Sequence, residues 1–165
     1  MGTHQYLRIF ILMTALIAGL ASCSRPSELN GPLNDDGYKV KLESVQKSVT
    51  IGPGQSTTVD VKVTNMSNLR WMSVAAADSN VTPNSVALSY HIRTSDNLIL
   101  VWDGLRTVLP GNIIEPMHEI LLHAKIRAPN FPGKYIIEYD MVQEGVSWFS
   151  PKGAQTTSIT LEVKN

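Results

Sequence analysis

Alternation of apolar and polar residues constrains the fold of this chain more than any other feature. In residues 57–65, valines at positions 59, 61 and 63 alternate with polar side chains. A period of two puts successive side chains on opposite faces of a strand, so one face is apolar and the other polar. Residues 120–127 and 159–163 repeat the pattern, with Leu121 as an apolar exception on the polar face. No segment shows a convincing helical period, so the sequence predicts an all-β fold.

Turn residues divide the rest of the chain into further strands. Strands are predicted at residues 38–45, 85–93 and 133–142, and Gly52-Pro53-Gly54 marks a turn. Residues 98–102 form a continuous apolar run, which predicts a central strand buried on both faces or a strand under a loop. About seven to nine short strands favour an immunoglobulin-like antiparallel β-sandwich over residues 38–165.

Tyr135 adds a more specific indication of this fold. It follows Pro132-Gly133 at the start of the predicted penultimate strand. In immunoglobulin-like sandwiches a tyrosine near this position bonds through its hydroxyl to the backbone of the preceding turn. We therefore predict such a tyrosine corner, the alternative being a plain strand aromatic.

Composition excludes several classes of protein. The 165 residues are 43% hydrophobic and 17% charged, which is typical of a single globular domain. The formal net charge is +0, so the chain lacks the basic excess of a nucleic-acid-binding protein. The single cysteine excludes an internal disulfide and a multi-thiolate zinc site.

The amino terminus has the layout of a signal peptide over residues 1–22. Arg8 precedes an uncharged, mostly apolar run at residues 9–20. That run is shorter than the roughly 20 residues that a membrane-spanning helix needs. Leu20-Ala21-Ser22-Cys23 then resembles the lipobox of bacterial lipoproteins, in which small residues precede the cysteine that opens the mature chain.

This resemblance implies that Cys23 carries a diacylglyceryl thioether and an acyl group such as palmitate on its new amino terminus. Two or more acyl chains anchor a protein stably in a membrane. The alternative is ordinary cleavage after Ala21 or Ser22, with an incidental free thiol. The resemblance places the protein in a bacterial cell envelope, and Ser24 implies the outer membrane, at its periplasmic face or surface, if the cell is Gram-negative.

Residues 23–37 are predicted to be the acylated cysteine and a flexible tether. Residues 24–37 are rich in Ser, Pro, Asn, Asp and Gly and have no hydrophobic period. Such a segment of 14 residues spans roughly 20 Å as a random coil and about 45 to 50 Å when fully stretched. We expect the domain to stand off the bilayer.

The chain shows no persuasive catalytic or metal-binding pattern. Of the histidines, His118 and His123 would face opposite ways on one strand, and solvated strand histidines are the preferred interpretation of these and His91. A glycosidase needs two carboxyl groups about 5 to 9 Å apart, and Asp103, Asp140, Glu144 and Glu115 are the available acids. The glycines that follow Asp103 and Glu144 favour turn positions for both. The sequence therefore predicts no enzyme, cofactor or metal site.

Aromatic residues near strand ends are the better candidates for binding. Trp102, Trp148 and Phe149 are rings of the kind on which a sugar can stack, although such rings also fill cores. Core packing is the favoured interpretation for Trp102. Because Trp148 and Phe149 are adjacent, a regular strand would point them in opposite directions.

Four blocks of the sequence form one pattern: SYH at 89–91, VWDGLRT at 101–107, PGKY at 132–135 and DMVQEGVSWF at 140–149. Over about residues 49–153 this pattern resembles the immunoglobulin-like β module appended to some bacterial glycosyltransferases, methyltransferases and polysaccharide-export proteins. It implies a non-catalytic accessory domain that contacts glycan or a partner protein. This chain departs from that setting because it carries no catalytic domain beside the module.

Together these observations predict a lipid-anchored, non-catalytic binding or scaffolding module of the cell envelope, with glycan as a possible ligand. Two alternatives stay open: a structural lipoprotein that binds an envelope protein, and a small glycan hydrolase. The residues expected to bind a ligand or to pin the strand-end loops are Trp102, Asp103, Arg106, Glu144, Trp148 and Phe149. In the loop-pinning role, Arg106 pairs with Asp103 or Glu144 through its planar guanidinium.

Overall fold

A computed structural model describes residues 31–73 and 82–165. The predicted signal peptide (residues 1–22), the lipidation site Cys23 and tether residues 24–30 lie outside the described residues. Within the described ranges, no helix has the length and hydrophobicity needed to cross a membrane.

The described residues contain twelve strands and two short 3-10 helices. In chain order they are η1 (Asp35–Tyr38), β1 (Val40–Ser44), β2 (Ser48–Ile51), β3 (Ser56–Asn65), β4 (Trp71–Met72), β5 (Val86–Thr94), β6 (Ile99–Val101), β7 (Thr107–Val108), β8 (Ile113–Ile114), β9 (Glu119–Arg127), β10 (Gly133–Gln143), β11 (Ser147–Trp148), η2 (Ser150–Lys152) and β12 (Thr157–Val163). Eight of these strands have three or more residues and four have only two. The predicted all-β class is confirmed, and the short pairings account for the larger number of strands.

Two sheets form the sandwich. The first is antiparallel, with strand order β1-β3-β9. The second has seven strands in the order β2-β12-β10-β5-β6, with β7 paired to β5 and β11 paired to β10. β2 runs parallel to β12, while the other pairs of this sheet are antiparallel. The inward side chains of both sheets, such as Val61 of β3 and Ile137 of β10, form one hydrophobic core.

The regular parts of the sequence pattern are confirmed strand by strand. β9 alternates between exposed and buried residues along its whole length, and Leu121 points outward with 49% of its surface exposed. The tyrosine corner is also present, because the Tyr135 hydroxyl donates to the backbone carbonyl of Phe131 at 2.9 Å.

The prediction for residues 98–102 is wrong. β6 lies at the edge of the seven-stranded sheet and pairs with β5 through two residues, with an irregularity in register between them. Leu98 is 67% exposed and Leu100 is 51% exposed. An apolar run does not indicate whether its strand is central or at the edge of a sheet. Here the run follows a tight turn at Asn97, whose φ is 65°, and forms a short edge strand beside β5.

The predicted boundary between tether and domain is also too late. The backbone N–H of Leu33 donates to the Gln143 side chain at 2.9 Å, and Leu33 itself is buried. The indole N–H of Trp71 donates to the backbone carbonyl of Gly37 at 2.9 Å. Residues 31–37 are therefore part of the domain.

Candidate functional site

Three aromatic rings lie together on the outward face of the seven-stranded sheet. The His91 ring stacks on Trp102 with 4.4 Å between centroids and an interplanar angle of 22°. Trp148 meets the same imidazole at 4.4 Å and meets Trp102 edge-on at 5.9 Å. The guanidinium of Arg106 lies 5.3 Å from the centre of the Trp148 ring, within cation–π range. We call these four side chains the tryptophan cluster.

Arg106 holds two loops together. It forms ion pairs with Glu144, in the turn after β10, and with Asp103, in its own loop. It also donates to the Ser89 hydroxyl at 3.1 Å and to the Gly104 carbonyl at 3.0 Å. Burial alone lowers the pKa of Arg106, but the hydrogen bonds to Glu144 and Asp103 outweigh that effect and raise it. The guanidinium therefore stays charged and fixes the position of the loop.

The loop between β6 and β7 reaches the sheet only because residue 104 is glycine. The Gly104 N–H donates to the backbone carbonyl of Tyr90 at 2.9 Å. A Cβ at this position would lie 2.5 Å from that oxygen and 2.7 Å from the Tyr90 ring. The glycine lets the backbone approach β5, and this approach places Trp102 over His91.

Two carboxylates beside His91 on β10 have pKa values shifted in opposite directions. Asp140 is fully buried, and this desolvation raises its pKa although it accepts hydrogen bonds from the backbone N–H groups of Met141 and Ser150. Burial also favours a raised pKa at Glu138, but hydrogen bonds from Arg93 and Thr156 and the Arg93 charge together lower it. Asp140 acts as an acceptor for the backbone that follows Trp148, and Glu138 as the partner of a cation.

The adjacent rings of Trp148 and Phe149 lie on opposite sides of the seven-stranded sheet, as the sequence predicts. Phe149 is fully buried and packs edge-on against Tyr38 and Trp71, at 4.9 and 5.4 Å between centroids. Phe149 is thus a core residue, whereas Trp148 is half-buried and belongs to the tryptophan cluster. The favoured interpretation of Trp102 as a core residue is wrong, since 48% of its surface is exposed.

The structure thus brings together five of the six predicted site residues: Trp102, Asp103, Arg106, Glu144 and Trp148. Sequence reasoning missed His91, for which a solvated position was expected. It is 2% exposed, and one ring nitrogen contacts the Trp102 carbonyl. The other nitrogen has no hydrogen-bond partner among the described residues. On β5 His91 occupies an ordinary polar position, so no sequence signal marks it as buried.

Gln143 is a second residue that the sequence did not single out. Its side chain accepts from the Tyr38 hydroxyl at 2.8 Å and donates to the carbonyls of Gly31 and Asn84 at 3.2 and 3.1 Å. With the bond from Leu33, this buried amide attaches the amino-terminal segment to the end of β10.

Two clefts in the described residues are lined by none of the four side chains of the tryptophan cluster. One of about 270 Å³ opens on the core side of β6, between Tyr90, Leu105 and Pro129. Another of about 360 Å³ lies between η1, β1 and residues 152–156, which precede β12. Among the described residues, no group of three or more His, Cys, Asp or Glu side chains is arranged to hold a metal ion.

Comparison with known proteins finds solved structures that are similar to this chain at low sequence identity. No family model and no curated protein matches the chain. A PapD-like domain of human CEP192 is 10% identical with a TM-score of 0.39, over 95% of this chain and 99% of that domain. The C-terminal domain of Wzt is 17% identical with a TM-score of 0.39, over 76% of this chain and 71% of that one.

A third similar structure is a conjugative transposon lipoprotein from Bacteroides eggerthii. It is 8% identical with a TM-score of 0.30, over 75% of this chain and 97% of that one. At this distance, none of the three indicates a ligand or an activity for this chain.

Proposed function

We propose that this chain is a lipid-anchored, non-catalytic binding module of a bacterial cell envelope, that its binding surface is the tryptophan cluster, and that its ligand is a glycan. The observation that carries the proposal is the state of Trp102. Nearly half of the surface of this residue is exposed, yet one face of its ring is stacked on a buried histidine. A flat ring that is both exposed and fixed is ready to receive a ligand without loss of side-chain entropy.

The surroundings of Trp102 suit a sugar. The exposed face of an indole can pack against the C–H face of a pyranose ring, while polar groups beside it receive the hydroxyls. Asp103 adjoins Trp102 in the loop and is itself exposed, with Arg106 held between it and Glu144. These groups give the site both donors and acceptors at the edge of an apolar ring.

The non-catalytic part of the proposal rests on the state of the carboxylates. Asp103 and Glu144 share one guanidinium, and Asp140 is fully buried against backbone N–H groups. All three carboxylates already have protein partners. General acid–base chemistry needs a carboxyl group that faces its substrate with a suitable pKa.

Isothermal titration against a panel of envelope polysaccharides tests the ligand. We expect binding that weakens at least about tenfold, or 1.4 kcal/mol, in Trp102→Ala. The matched control is Phe131→Ala, because Phe131 is another exposed aromatic, 76% accessible, in the turn before β10. Flat titrations across the panel, or equal losses in both variants, would overturn glycan binding at this surface.

The anchor has a separate test. Cys23→Ser removes the only thiol of the chain, to which the diacylglyceryl group would be attached. We expect the variant to move from the detergent phase to the aqueous phase, or to stall in processing. An intact mass of the native-host protein without the added acyl groups would refute the anchor.

A further inference from the structure

The amino-terminal segment joins the sandwich at one end, which we call the entry end. The backbones of Gly31 and Leu33 are hydrogen-bonded to the side-chain amide of Gln143, the last residue of β10. The Tyr38 hydroxyl donates to the same amide. The backbone carbonyl of Lys39, which follows Tyr38, accepts a hydrogen bond from the backbone N–H of Met66 at 2.9 Å. The turns after β3 and β10 therefore lie at the end where the chain enters.

The entry end exposes several apolar side chains. Met117 is 66% exposed, Met66 and Val146 are each 41% exposed, and Ile113 is 36% exposed. Met117 lies beside Met66, because the Met117 N–H donates to the Asn65 carbonyl at 2.7 Å. The Val146 N–H donates to the Gln143 carbonyl at 3.0 Å, which places Val146 at the same end. Flexible thioether side chains adapt to irregular apolar surroundings.

Met117 is also held in an unusual backbone conformation. Its φ is 59°, in the left-handed region that favours glycine, and the other described non-glycine residues there are Asn84 and Asn97. Asparagine adopts this conformation readily, whereas a long apolar side chain does so rarely. Two backbone hydrogen bonds fix the turn with the methionine pointing into solvent: the Met117 N–H donates to the Asn65 carbonyl, and the Asn65 N–H donates to the His118 carbonyl. Such local strain is typical of positions kept for a function.

The length of chain before Gly31 indicates what covers this end. Seven residues, 24–30, separate Cys23 from Gly31. Eight peptide links span at most about 28 Å. The seven residues are half of the fourteen, 24–37, in the tether predicted from the sequence, so lipid at Cys23 would keep the entry end beside the bilayer.

We propose that the entry end rests on the membrane that holds the anchor, with Met117, Met66 and Val146 in the interfacial layer. The inference rests on the proposed lipidation of Cys23. The nearby charges do not form a basic patch, since Lys39 pairs with Asp36 and Arg70 pairs with Glu115. Contact is therefore apolar and does not require anionic lipid.

In this orientation Trp148 lies nearer the bilayer than Trp102 does. On the outward face of the seven-stranded sheet, Trp148 is opposite Val142, one residue before Gln143 at the entry end. Trp102 stacks on His91, which is opposite Glu138, five positions before Gln143 along β10. A sheet that stands on its end presents this face sideways, close to the lipid surface.

Fluorescence quenching in vesicles tests the orientation. Met117→Cys and Met66→Cys are made separately in the full lipidated protein and labelled with an environment-sensitive dye. The vesicles are phosphatidylcholine with a spin-labelled lipid as quencher. We expect several-fold stronger quenching at both positions than at a Phe131→Cys control, which lies in the exposed turn before β10, at the opposite end of that strand.

The dye also separates failure of the inference from failure of the anchor. If Cys23 is a thioether, the introduced cysteine is the only thiol that reacts. Labelling of the unsubstituted protein would show a free Cys23 and overturn the anchor. A protein that is acylated by mass but equally unquenched at all three positions would overturn the orientation alone, as would quenching only in vesicles with anionic lipid.

Discussion

The two sheets of this sandwich treat their outward faces differently. In the three-stranded sheet the outward residues of β9 are all exposed, so one face is dry and the other wet. In the seven-stranded sheet seven consecutive residues of β5, Val86–Ile92, are buried. Here the outward face is covered by Trp102 and Arg106, from the chain that follows β6, and by Trp148 of β11.

The difference teaches that alternation reports which face of a strand is polar, and not whether that face is wet. β5 alternates as regularly as β9, with Leu88, Tyr90 and Ile92 facing the core and Ser89 and His91 facing outward. Water is excluded from its polar face by side chains that are distant in sequence. A sheet face that is polar and yet covered is where we place the candidate site.

The largest effect is expected from the pair of rings that lie on opposite sides of the seven-stranded sheet. Phe149→Ala should lower the free energy of unfolding by about 3 to 5 kcal/mol, because it opens a cavity in the core. Trp148→Ala should lower it by only about 1 to 2 kcal/mol, since the ring is half-buried and its cation–π contact is lost. Urea unfolding measures both. Equal losses would make Trp148 a core residue and remove the distinction between the faces.

A smaller effect is expected from the cation that pins the covering loops. Arg106→Met leaves the nearly buried Glu144 without its partner, so we expect a loss of roughly 1 to 3 kcal/mol. Arg70→Met is the matched control, because Arg70 also pairs with a glutamate, but one that is 53% exposed. That variant should lose less than about 1 kcal/mol. If urea unfolding gives similar losses of unfolding free energy for the two variants, the Arg106–Glu144 ion pair contributes no more than an ordinary surface ion pair.

A third prediction concerns pH. The pKa of Asp140 is raised by burial above its ordinary value of 3.8. Its contribution to stability is therefore fully present below that ordinary value and is lost as the pH rises through the raised pKa. Asp140→Asn cannot titrate, so relative to the wild type its unfolding free energy should decline less with rising pH in this window.

Glu138→Gln is the control for the pH experiment. The pKa of Glu138 is lowered below its ordinary value of 4.5, so its contribution is present above 4.5 and is lost as the pH falls through the lowered pKa. Urea unfolding at a series of pH values should therefore show differences of opposite sign for the two variants. Differences of the same sign would contradict the assignment of distinct roles to these two carboxylates.

Sequence reasoning succeeded where local pattern decides the structure. The alternation of β3, β9 and β12 and the tyrosine corner at Tyr135 each depend on residues within one strand or one turn. A pairing of Arg106 with Asp103 or Glu144 was expected for residues of the family resemblance, and the structure contains both pairs, although Glu144 lies 38 positions away.

Sequence reasoning failed where tertiary contacts decide the structure. Whether β6 is central or at an edge depends on which strands pair, and whether His91 is wet depends on Trp102 and Trp148. The attachment of residues 31–37 depends on the side chain of Gln143, more than 100 positions later. No local period carries such information, so the predicted tether wrongly includes residues 31–37.

The smallest effect is expected in the three-stranded sheet, at its one apolar outward position. Leu121→Thr should change the unfolding free energy by less than about 0.5 kcal/mol, because the leucine faces solvent and threonine suits a strand. Its neighbour gives the contrast, since Leu122 is 4% exposed and Leu122→Thr would place a hydroxyl in the core. A clear loss in Leu121→Thr would mean that something covers this face too. The outward side of β9 would then resemble that of β5, and the contrast between the two sheets would no longer single out the tryptophan cluster.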